Sequence, residues 1–199
     1  FDARLRPLID PALNRMGAAL ARAGITANQV TVAGAVCGAL AGVAIGLEQP
    51  LAGLGFILAS RLLDGLDGAI ARASQPTDFG GYLDIVCDYV FYLAVPLGFG
   101  FAATENLPYA LALVAAFTLT AVSFLAYAAL AAKRGVETDA HGPKSFFYST
   151  GLAEGAEPIL AFVLMCLLPG LFPAIAAVFT GLCVLTVIQR SIIARRVFR

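Results

Sequence analysis

The chain has 199 residues, of which 60% are hydrophobic and only 13% are charged, and its formal net charge is zero. A soluble domain would carry about twice that charged fraction, so the composition excludes an ordinary soluble protein and indicates an integral membrane protein. A neutral chain also offers no basic surface for nucleic acid, which is therefore not an expected partner.

The first predicted element is an amphipathic helix within residues 1–24. Apolar side chains recur there at helical spacing while arginines occupy other faces; the apolar residues are Leu5, Leu8, Ile9, Leu13, Met16 and Leu20. Such a juxtamembrane helix either lies in the plane of the lipid headgroups or packs on the rest of the protein without a role toward lipid. Both interpretations remain open at this point. The segment is too charged for a cleavable signal peptide.

Six transmembrane helices are predicted to follow within residues 28–193. They cover approximately residues 28–47, 51–73, 81–103, 107–132, 146–168 and 171–193, each long enough to cross a bilayer. Asn28 immediately precedes the first apolar run and is predicted to cap that span. The links near residues 48–50, 104–106 and 169–170 are very short, which favours an up-and-down bundle. The predicted fold is therefore all-α, with one membrane domain covering residues 1–199.

The distribution of positive charge predicts the orientation of this bundle. Lysines and arginines lie almost entirely before the first span, in the longer links, at the end of the second span, or at and after the end of the last span: Arg4, Arg6, Arg15, Arg22, Arg72, Lys133, Arg134, Lys144, Arg190, Arg195, Arg196 and Arg199. The positive-inside rule then places both termini and the link between the second and third spans in the cytoplasm. We expect a multi-pass protein of the plasma (inner) membrane.

Four aspartates lie where the second and third spans meet. Asp64 and Asp67 are three residues apart, and Asp84 and Asp88 are four apart, so each pair shares one face of its helix. The short connection predicts that the two helices are antiparallel neighbours and that both pairs converge at one membrane depth. Clustered carboxylates beside hydrocarbon need compensation, and bound divalent cations provide it with the oxygen ligands that such cations prefer.

Glycine and arginine surround these acids. Gly65, Gly68, Gly80 and Gly81 would let a bulky ligand approach the backbone, and Arg72 can pair with a phosphate. A metal site, an open backbone and an arginine together indicate a site for a metal-bound pyrophosphate. Arg61, three residues before Asp64, is interpreted as a counter-charge for the acids rather than as an acceptor ligand.

The segment resembles the signature of the CDP-alcohol phosphotransferases, in which D-x2-D-G-x2-A-R is followed by G-x3-D-x3-D. The matching residues are Asp64, Asp67, Gly68, Ala71, Arg72, Gly80, Asp84 and Asp88. Seven residues separate Arg72 from Gly80 where eight are common, which we interpret as a shortened cytoplasmic loop. The entry to the first span, residues 25–31, and the six spans also resemble this family, in particular its short bacterial members.

The resemblance implies a function and a set of roles. Members transfer a substituted phosphate from a CDP-linked donor to an alcohol and release CMP, in phospholipid biosynthesis. By similarity, Asp64, Asp67, Asp84 and Asp88 would bind two divalent cations, Mg²⁺ or Mn²⁺, and Asp88 would also act as the general base. The nucleotide and its phosphates would contact Asn28, Thr31, Gly68, Ala71, Arg72 and Gly80. A homodimer is likewise expected from the resemblance.

The residues that recognise the acceptor alcohol are harder to predict. Glu154 and Glu157 lie three residues apart in an otherwise apolar span and would favour a hydroxyl-rich or amine-bearing acceptor. A phosphorylated acceptor would instead need cations, for which Lys144 and Arg134 are the candidates. Structural pairing of the glutamates remains the alternative.

Three functions are compatible with these patterns. The leading prediction is a transferase that uses CDP-diacylglycerol as the lipid donor. The same chemistry with a CDP-amino alcohol donor and a lipid acceptor is the alternative within the family. A divalent-cation transporter is disfavoured, because the acids cluster at one end of the bundle beside Arg72 and do not follow a path across the bilayer.

Overall fold

The computed structural model describes residues 2–135 and 156–198, with side chains described from residue 10, and these ranges are all-helical. The helices of these ranges are α1 (Asp2–Arg22), α2 (Ala27–Gly46), α3 (Pro50–Ala73), α4 (Asp78–Ala102), α5 (Leu107–Lys133), α6 (Ala156–Leu167) and α7 (Phe172–Val197). Single 3₁₀ turns, Thr104–Asn106 and Pro169–Leu171, precede α5 and α7. The all-helical fold class predicted from composition is confirmed.

The predicted spans correspond closely to the helices. Helices α2 and α4, and α5 and α7 with their preceding 3₁₀ turns, are long and apolar enough to cross a membrane. Helix α3 is also long, with 24 residues, but it carries the charged residues Arg61, Asp64, Asp67 and Arg72. Helix α6 is apolar, and the earlier part of the fifth predicted span, residues 146–155, lies outside the described residues. The helices are compatible with six spans, whose number stays a prediction.

The cap of α2 differs from the one predicted. Thr26, not Asn28, is the N-cap: the Gln29 backbone N–H donates to Thr26 Oγ1 at 3.3 Å, and the Thr26 N–H donates to Gln29 Oε1 at 3.0 Å. This reciprocal pair satisfies two helix-end donors, which a lone Asn28 side chain would not do. Asn28 instead lies within the first turn of α2. A second cap, Thr77, accepts the Gly80 N–H at 3.0 Å and begins α4.

Helix α2 packs extensively against both α3 and α4, whereas the backbones of α3 and α4 approach each other at few of their described residues. The predicted antiparallel neighbours α3 and α4 therefore meet through side chains such as Arg61 and Asp88 and not through close backbone packing. The short connection 74–77 holds the ends of α3 and α4 together. Small residues on α2 let both helices approach α2 closely. A cleft between α3 and α4 results, with α2 as its floor.

Glycine makes the contact between α2 and α4 very close. A Cβ added to Gly42 would overlap the Ala94 carbonyl, and one added to Gly98 would overlap the Gly42 carbonyl. Small residues at such positions let two helix backbones approach each other, which is a common basis of helix association in membranes. We call this contact of Gly42 with Ala94 and Gly98 the glycine seam.

Helix α1 is packed against α3. A Cβ added to Gly17 would lie 2.6 Å from Ala69 Cβ, and the α1 residues Leu13 and Leu20 cover a small core that includes Leu66 and Ile70. Packing of the N-terminal segment on the protein is therefore observed, and its position in the headgroup plane stays a prediction. The side chains of Leu5, Leu8 and Ile9 lie outside the described residues.

The main core joins apolar residues of α2–α7, and α4–α7 contribute its aromatic residues. Phe162 makes T-shaped ring contacts with Phe91 and Phe117, with centroid distances of 5.5 and 5.9 Å. Phe99 stacks on Phe172 at 4.6 Å. Such contacts stabilise the packing beyond the area they bury, and Phe91 connects this core to the cleft described next.

Candidate active site

Three carboxylates converge at the cleft between α3 and α4. Asp64 and Asp67 come from α3 and Asp84 comes from α4, and one oxygen of each lies within 4.8 Å of the others. Ligand oxygens on opposite sides of one Mg²⁺ ion are about 4 Å apart, so small side-chain rotations suffice to bring these oxygens onto an ion. We call these three residues the aspartate triad.

Asp67 is the buried member of the triad. Its residue is 6% exposed, and its Oδ2 is buried without a hydrogen-bond partner among the described residues. A buried polar atom without a partner is costly, and such an atom in a native protein calls for an explanation. A hard divalent cation such as Mg²⁺ or Mn²⁺ would supply the missing partner, so the triad fits the predicted cofactor.

The cleft is lined by all three helices that meet there. Thr31, Gly34 and Ala35 come from α2 and form its floor, while α3 contributes Ser60 and Arg61, and α4 contributes Cys87. Ser60 is fully buried, and its hydroxyl donates to the Gly34 carbonyl at 2.9 Å, which ties α3 to α2 beneath the triad. The predictions did not include Ser60 or Cys87. Their position inside helical apolar runs carried no signal for a site.

Asp88 also lines the cleft but lies outside the aspartate triad. Its Oδ1 accepts a hydrogen bond from Arg61 Nη1 at 3.0 Å, and the same nitrogen lies 3.6 Å from Asp64 Oδ1. Arg61 therefore contacts one acid of each predicted pair. The interpretation of Arg61 as a counter-charge agrees with these contacts, and metal binding by Asp88 stays a prediction.

Arg72 lies in the last turn of α3 and is connected to α1. Its Nη2 donates to Asn14 Oδ1 at 3.0 Å, and a Cβ added to Gly68 would lie 3.2 Å from its Nη1. The guanidinium is exposed and lies beside Gly68 on α3, where a phosphate can reach it. Asn14 was missed by the sequence analysis, because a contact between α1 and α3 leaves no pattern along the chain.

Two other predicted nucleotide-site residues meet at the start of α4. A Cβ added to Gly80 would lie 3.2 Å from Asn28 Oδ1, so Asn28 and Gly80 are brought together. Thr31 lines the cleft floor, and its hydroxyl donates to the Ala27 carbonyl at 3.0 Å. Ala71 lies beside Arg72 on α3 and is half-buried.

The predicted acceptor residues are only partly described. Lys144 and Glu154 lie outside the described residues. Glu157 is exposed in the first turn of α6, and the Arg134 guanidinium lies 5.5 Å from the ring centroid of Phe198. The acceptor assignment of these residues therefore stays a prediction.

Comparison with known proteins identifies similar sequences and a similar fold. Residues 24–189 match the family model described as CDP-alcohol phosphatidyltransferase. The inner membrane protein YnjF of Escherichia coli (strain K12) is 46% identical over 193 residues, which cover 96% of this chain and 93% of that protein. The archaetidylinositol phosphate synthase of Pyrococcus horikoshii is 41% identical over 87 residues, or 43% of this chain and 46% of that protein.

A solved structure with a similar fold is also known. It is the crystal structure of the Mycobacterium tuberculosis phosphatidylinositol phosphate synthase with CDP-DAG bound. The alignment has a TM-score of 0.64 at 22% sequence identity, and it covers 89% of this chain and 90% of that one.

Proposed function

Because the chain belongs to the CDP-alcohol phosphatidyltransferase family, we propose that it transfers a phosphatidyl group from CDP-diacylglycerol to an alcohol and releases CMP. The observation that carries this proposal is the aspartate triad, in which two separate helices direct three carboxylates to one point of the cleft. The transferase class and a place in phospholipid synthesis follow from the family. The donor, the acceptor and the roles of individual residues are the parts proposed.

The triad would hold the divalent cations. Asp64, Asp67 and Asp84 provide hard oxygen ligands, and two Mg²⁺ or Mn²⁺ ions bound there would neutralise charge that develops on the departing CMP. Arg72 is exposed beside Gly68 and would pair with a donor phosphate. Asn28, Thr31, Ala71 and Gly80 would line the nucleotide site; in support, Thr31 lines the cleft and Asn28 lies beside Gly80.

Asp88 would act on the acceptor. The alcohol oxygen attacks the phosphorus that carries the diacylglycerol, the new oxygen–phosphorus bond forms, and the bond from that phosphorus to the CMP oxygen breaks. The hydroxyl proton passes to the Asp88 carboxylate, which lies in the same cleft as the triad. CMP leaves with the bonding electrons, and the phosphatidyl alcohol remains in the membrane.

A CDP-linked lipid donor is supported by two observations. The mycobacterial synthase of similar fold was solved with CDP-DAG bound. In this chain, the helices around the cleft carry exposed apolar side chains such as Val32, Val36 and Leu62, which suit a lipid environment. A donor that already resides in the bilayer can therefore present its headgroup to the cleft.

Two kinds of support bear on the acceptor, namely the names of the relatives and the candidate acceptor residues of this chain. The relatives named as archaetidylinositol phosphate synthases match part of this chain, and they favour testing inositol phosphate among the acceptors. Glu157 and Glu154 instead favour an uncharged polyol or an amine, while Arg134 and Lys144 would suit a phosphorylated alcohol. The acceptor panel below separates these cases.

The location follows from the same features. A homologous inner membrane protein and the apolar helices support a multi-pass protein of the inner membrane. We propose a cytoplasmic active site and cytoplasmic termini, since the basic residues lie on that side of the bundle. A homodimer stays a prediction.

The decisive experiment measures CMP release by the purified protein. CDP-diacylglycerol is supplied with Mg²⁺ and, one at a time, with glycerol phosphate, inositol, inositol phosphate, serine, ethanolamine or choline. We expect CMP release with one acceptor or one acceptor class, and loss of that release in excess chelator. Release of CMP that persists in chelator would refute the metal-dependent mechanism. Absence of release with every acceptor, and with CDP-ethanolamine as donor, would refute the proposed reaction.

A further inference from the structure

The feature that the proposed mechanism does not use is Arg61. It is a charged residue inside α3, its side chain is only 13% exposed, and it lies at the inner end of the cleft. Burying a guanidinium is costly unless its surroundings compensate. Its neighbours therefore indicate what the residue does.

Arg61 is held in place from three directions. Phe91 lies beneath the guanidinium, with 4.1 Å between Arg61 Cζ and the ring centroid. Nη2 donates to Ser60 Oγ at 3.2 Å, and Ser60 itself donates to the Gly34 carbonyl of α2. Nη1 donates to Asp88 Oδ1 at 3.0 Å. Phe91 and Ser60 are both fully buried, so the guanidinium rests on rigid parts of the core.

The hydrogen bonds of Arg61 are incomplete. Its Nε is buried and has no partner among the described residues. The position of the guanidinium therefore brings Nη1 close to Asp88 and Asp64 but leaves Nε without a hydrogen bond among the described residues. Incomplete pairing of a buried group is more typical of functional sites than of purely structural ones.

We infer that Arg61 is a positioning residue for Asp88. It holds one carboxylate oxygen, Oδ1, against the α2–α3 contact and so leaves the other oxygen to meet the acceptor hydroxyl. Four neighbouring acids would otherwise repel one another and adopt several arrangements. With Arg61 in place, Asp64, Asp67 and Asp84 remain grouped while Asp88 is kept at a defined place beside them.

This inference rests on the proposed transfer reaction and predicts a specific kinetic signature. A positioning residue affects the chemical step without binding donor or metal itself. In Arg61→Gln we expect kcat for CMP release to fall roughly 10–100-fold, which is typical for the loss of a residue that orients a catalytic group. The KM for CDP-diacylglycerol should change by less than about threefold, because the donor contacts are untouched.

A binding measurement tests the same variant without catalysis. Free Mn²⁺ is measured by electron paramagnetic resonance during titration of the purified protein. Arg61→Gln should bind Mn²⁺ at least as tightly as the wild type, since the substitution removes a cation 3.6 Å from Asp64. Arg61→Lys should restore part of the lost kcat, because an ammonium group can still reach Asp88 but cannot stack flat on Phe91.

The matched control is Arg22→Gln. Arg22 is exposed on α1 and its Nε donates to the Ala18 carbonyl of its own helix. This variant should keep the wild-type kcat, KM and Mn²⁺ affinity.

Each other outcome overturns the inference in a recognisable way. Wild-type kcat in Arg61→Gln would show that Asp88 needs no positioning by Arg61. An increased KM with unchanged kcat would make Arg61 a substrate ligand. Loss of Mn²⁺ binding together with a lower melting temperature would make it a structural support only. If the wild type releases no CMP, the proposed reaction fails and this role fails with it; if only Arg61→Gln behaves unexpectedly, the reaction stands.

Discussion

Among the described residues, the unpaired Oδ2 of Asp67 is the strongest single-residue indication of a ligand. The other triad members are more exposed, so water can hydrogen-bond to their carboxylate oxygens, whereas this oxygen is buried without a donor from the described residues. An unsatisfied buried polar atom costs roughly 1–3 kcal/mol. A bound cation removes that cost, so metal binding and local stability are coupled at this residue.

Asp67→Asn should therefore weaken Mn²⁺ binding by about tenfold or more while the helices stay folded, because the amide keeps the shape but loses the charge. Mn²⁺ titration and circular dichroism of the purified variant test this. The control is Asp78→Asn, an exposed aspartate in the first turn of α4, which should bind Mn²⁺ as the wild type does. Equal Mn²⁺ affinities of the two variants would contradict a metal role for Asp67.

Asp88→Asn addresses the proton rather than the metal. Loss of a general base typically lowers the rate by about 100-fold or more, so CMP release should nearly disappear. Thermal unfolding should shift little, because the amide oxygen can still accept from Arg61. Near-normal turnover in this variant would exclude Asp88 as the base.

The spacing of the aspartates predicted two converging pairs, of which Asp64, Asp67 and Asp84 are observed together, but it did not predict the contacts of Arg61. Residues three or four apart share a helical face, so Asp64 with Asp67 could be paired from sequence alone. The Arg61–Asp88 contact joins two helices whose backbones seldom approach each other closely. Its geometry depends on Phe91 and Ser60 in the core. Asn28 illustrates the same limit, since a nearby Thr26–Gln29 pair competes with it for the cap.

At the scale of whole elements, the predicted helices agree with the described ones, whereas the close packing of α2 on both α3 and α4 was not predicted. Hydropathy locates an apolar helix to within a few residues, as for α5, predicted over 107–132 and observed as Leu107–Lys133. Hydropathy does not reveal which neighbour a helix prefers. In this chain, glycines on α2 let α4 approach it closely, and α3 also packs on α2.

The packing of α1 on α3 leads to a test of that element. In Gly17→Leu the new side chain would collide with Ala69, and overpacking of this kind typically costs about 1–3 kcal/mol. We expect α1 to shift away, Arg72 to lose Asn14, and the KM for CDP-diacylglycerol to rise by about tenfold. Steady-state kinetics and the melting temperature are the measurements.

Ala19→Leu is the matched control for Gly17→Leu. Ala19 is exposed on the same helix, so the same side chain added there should leave the KM unchanged. If both variants raised the KM equally, the contact between α1 and α3 would have no special role.

At the scale of the whole molecule, the proposed orientation can be tested with two glutamines. Gln49 and Gln75 are both exposed and lie just outside opposite ends of α3. In a background without the four native cysteines, Gln49→Cys should react with a membrane-impermeant maleimide in intact cells. Gln75→Cys should react only after the membrane is permeabilised. The reverse pattern would place the aspartate triad outside the cytoplasm.

The glycine seam has a consequence for the catalytic end of the bundle. Ala94 lies about 15 Å along α4 from Asp84, given the rise of a helix per residue. If α4 tilted as a rigid helix by about 4° at the glycine seam, the Asp84 carboxylate would move by about 1 Å. An error of that size costs a catalytic site roughly 100-fold in rate. Substitutions at Gly42 or Gly98, near the other end of these helices from the aspartate triad, would then be observed as losses of catalysis.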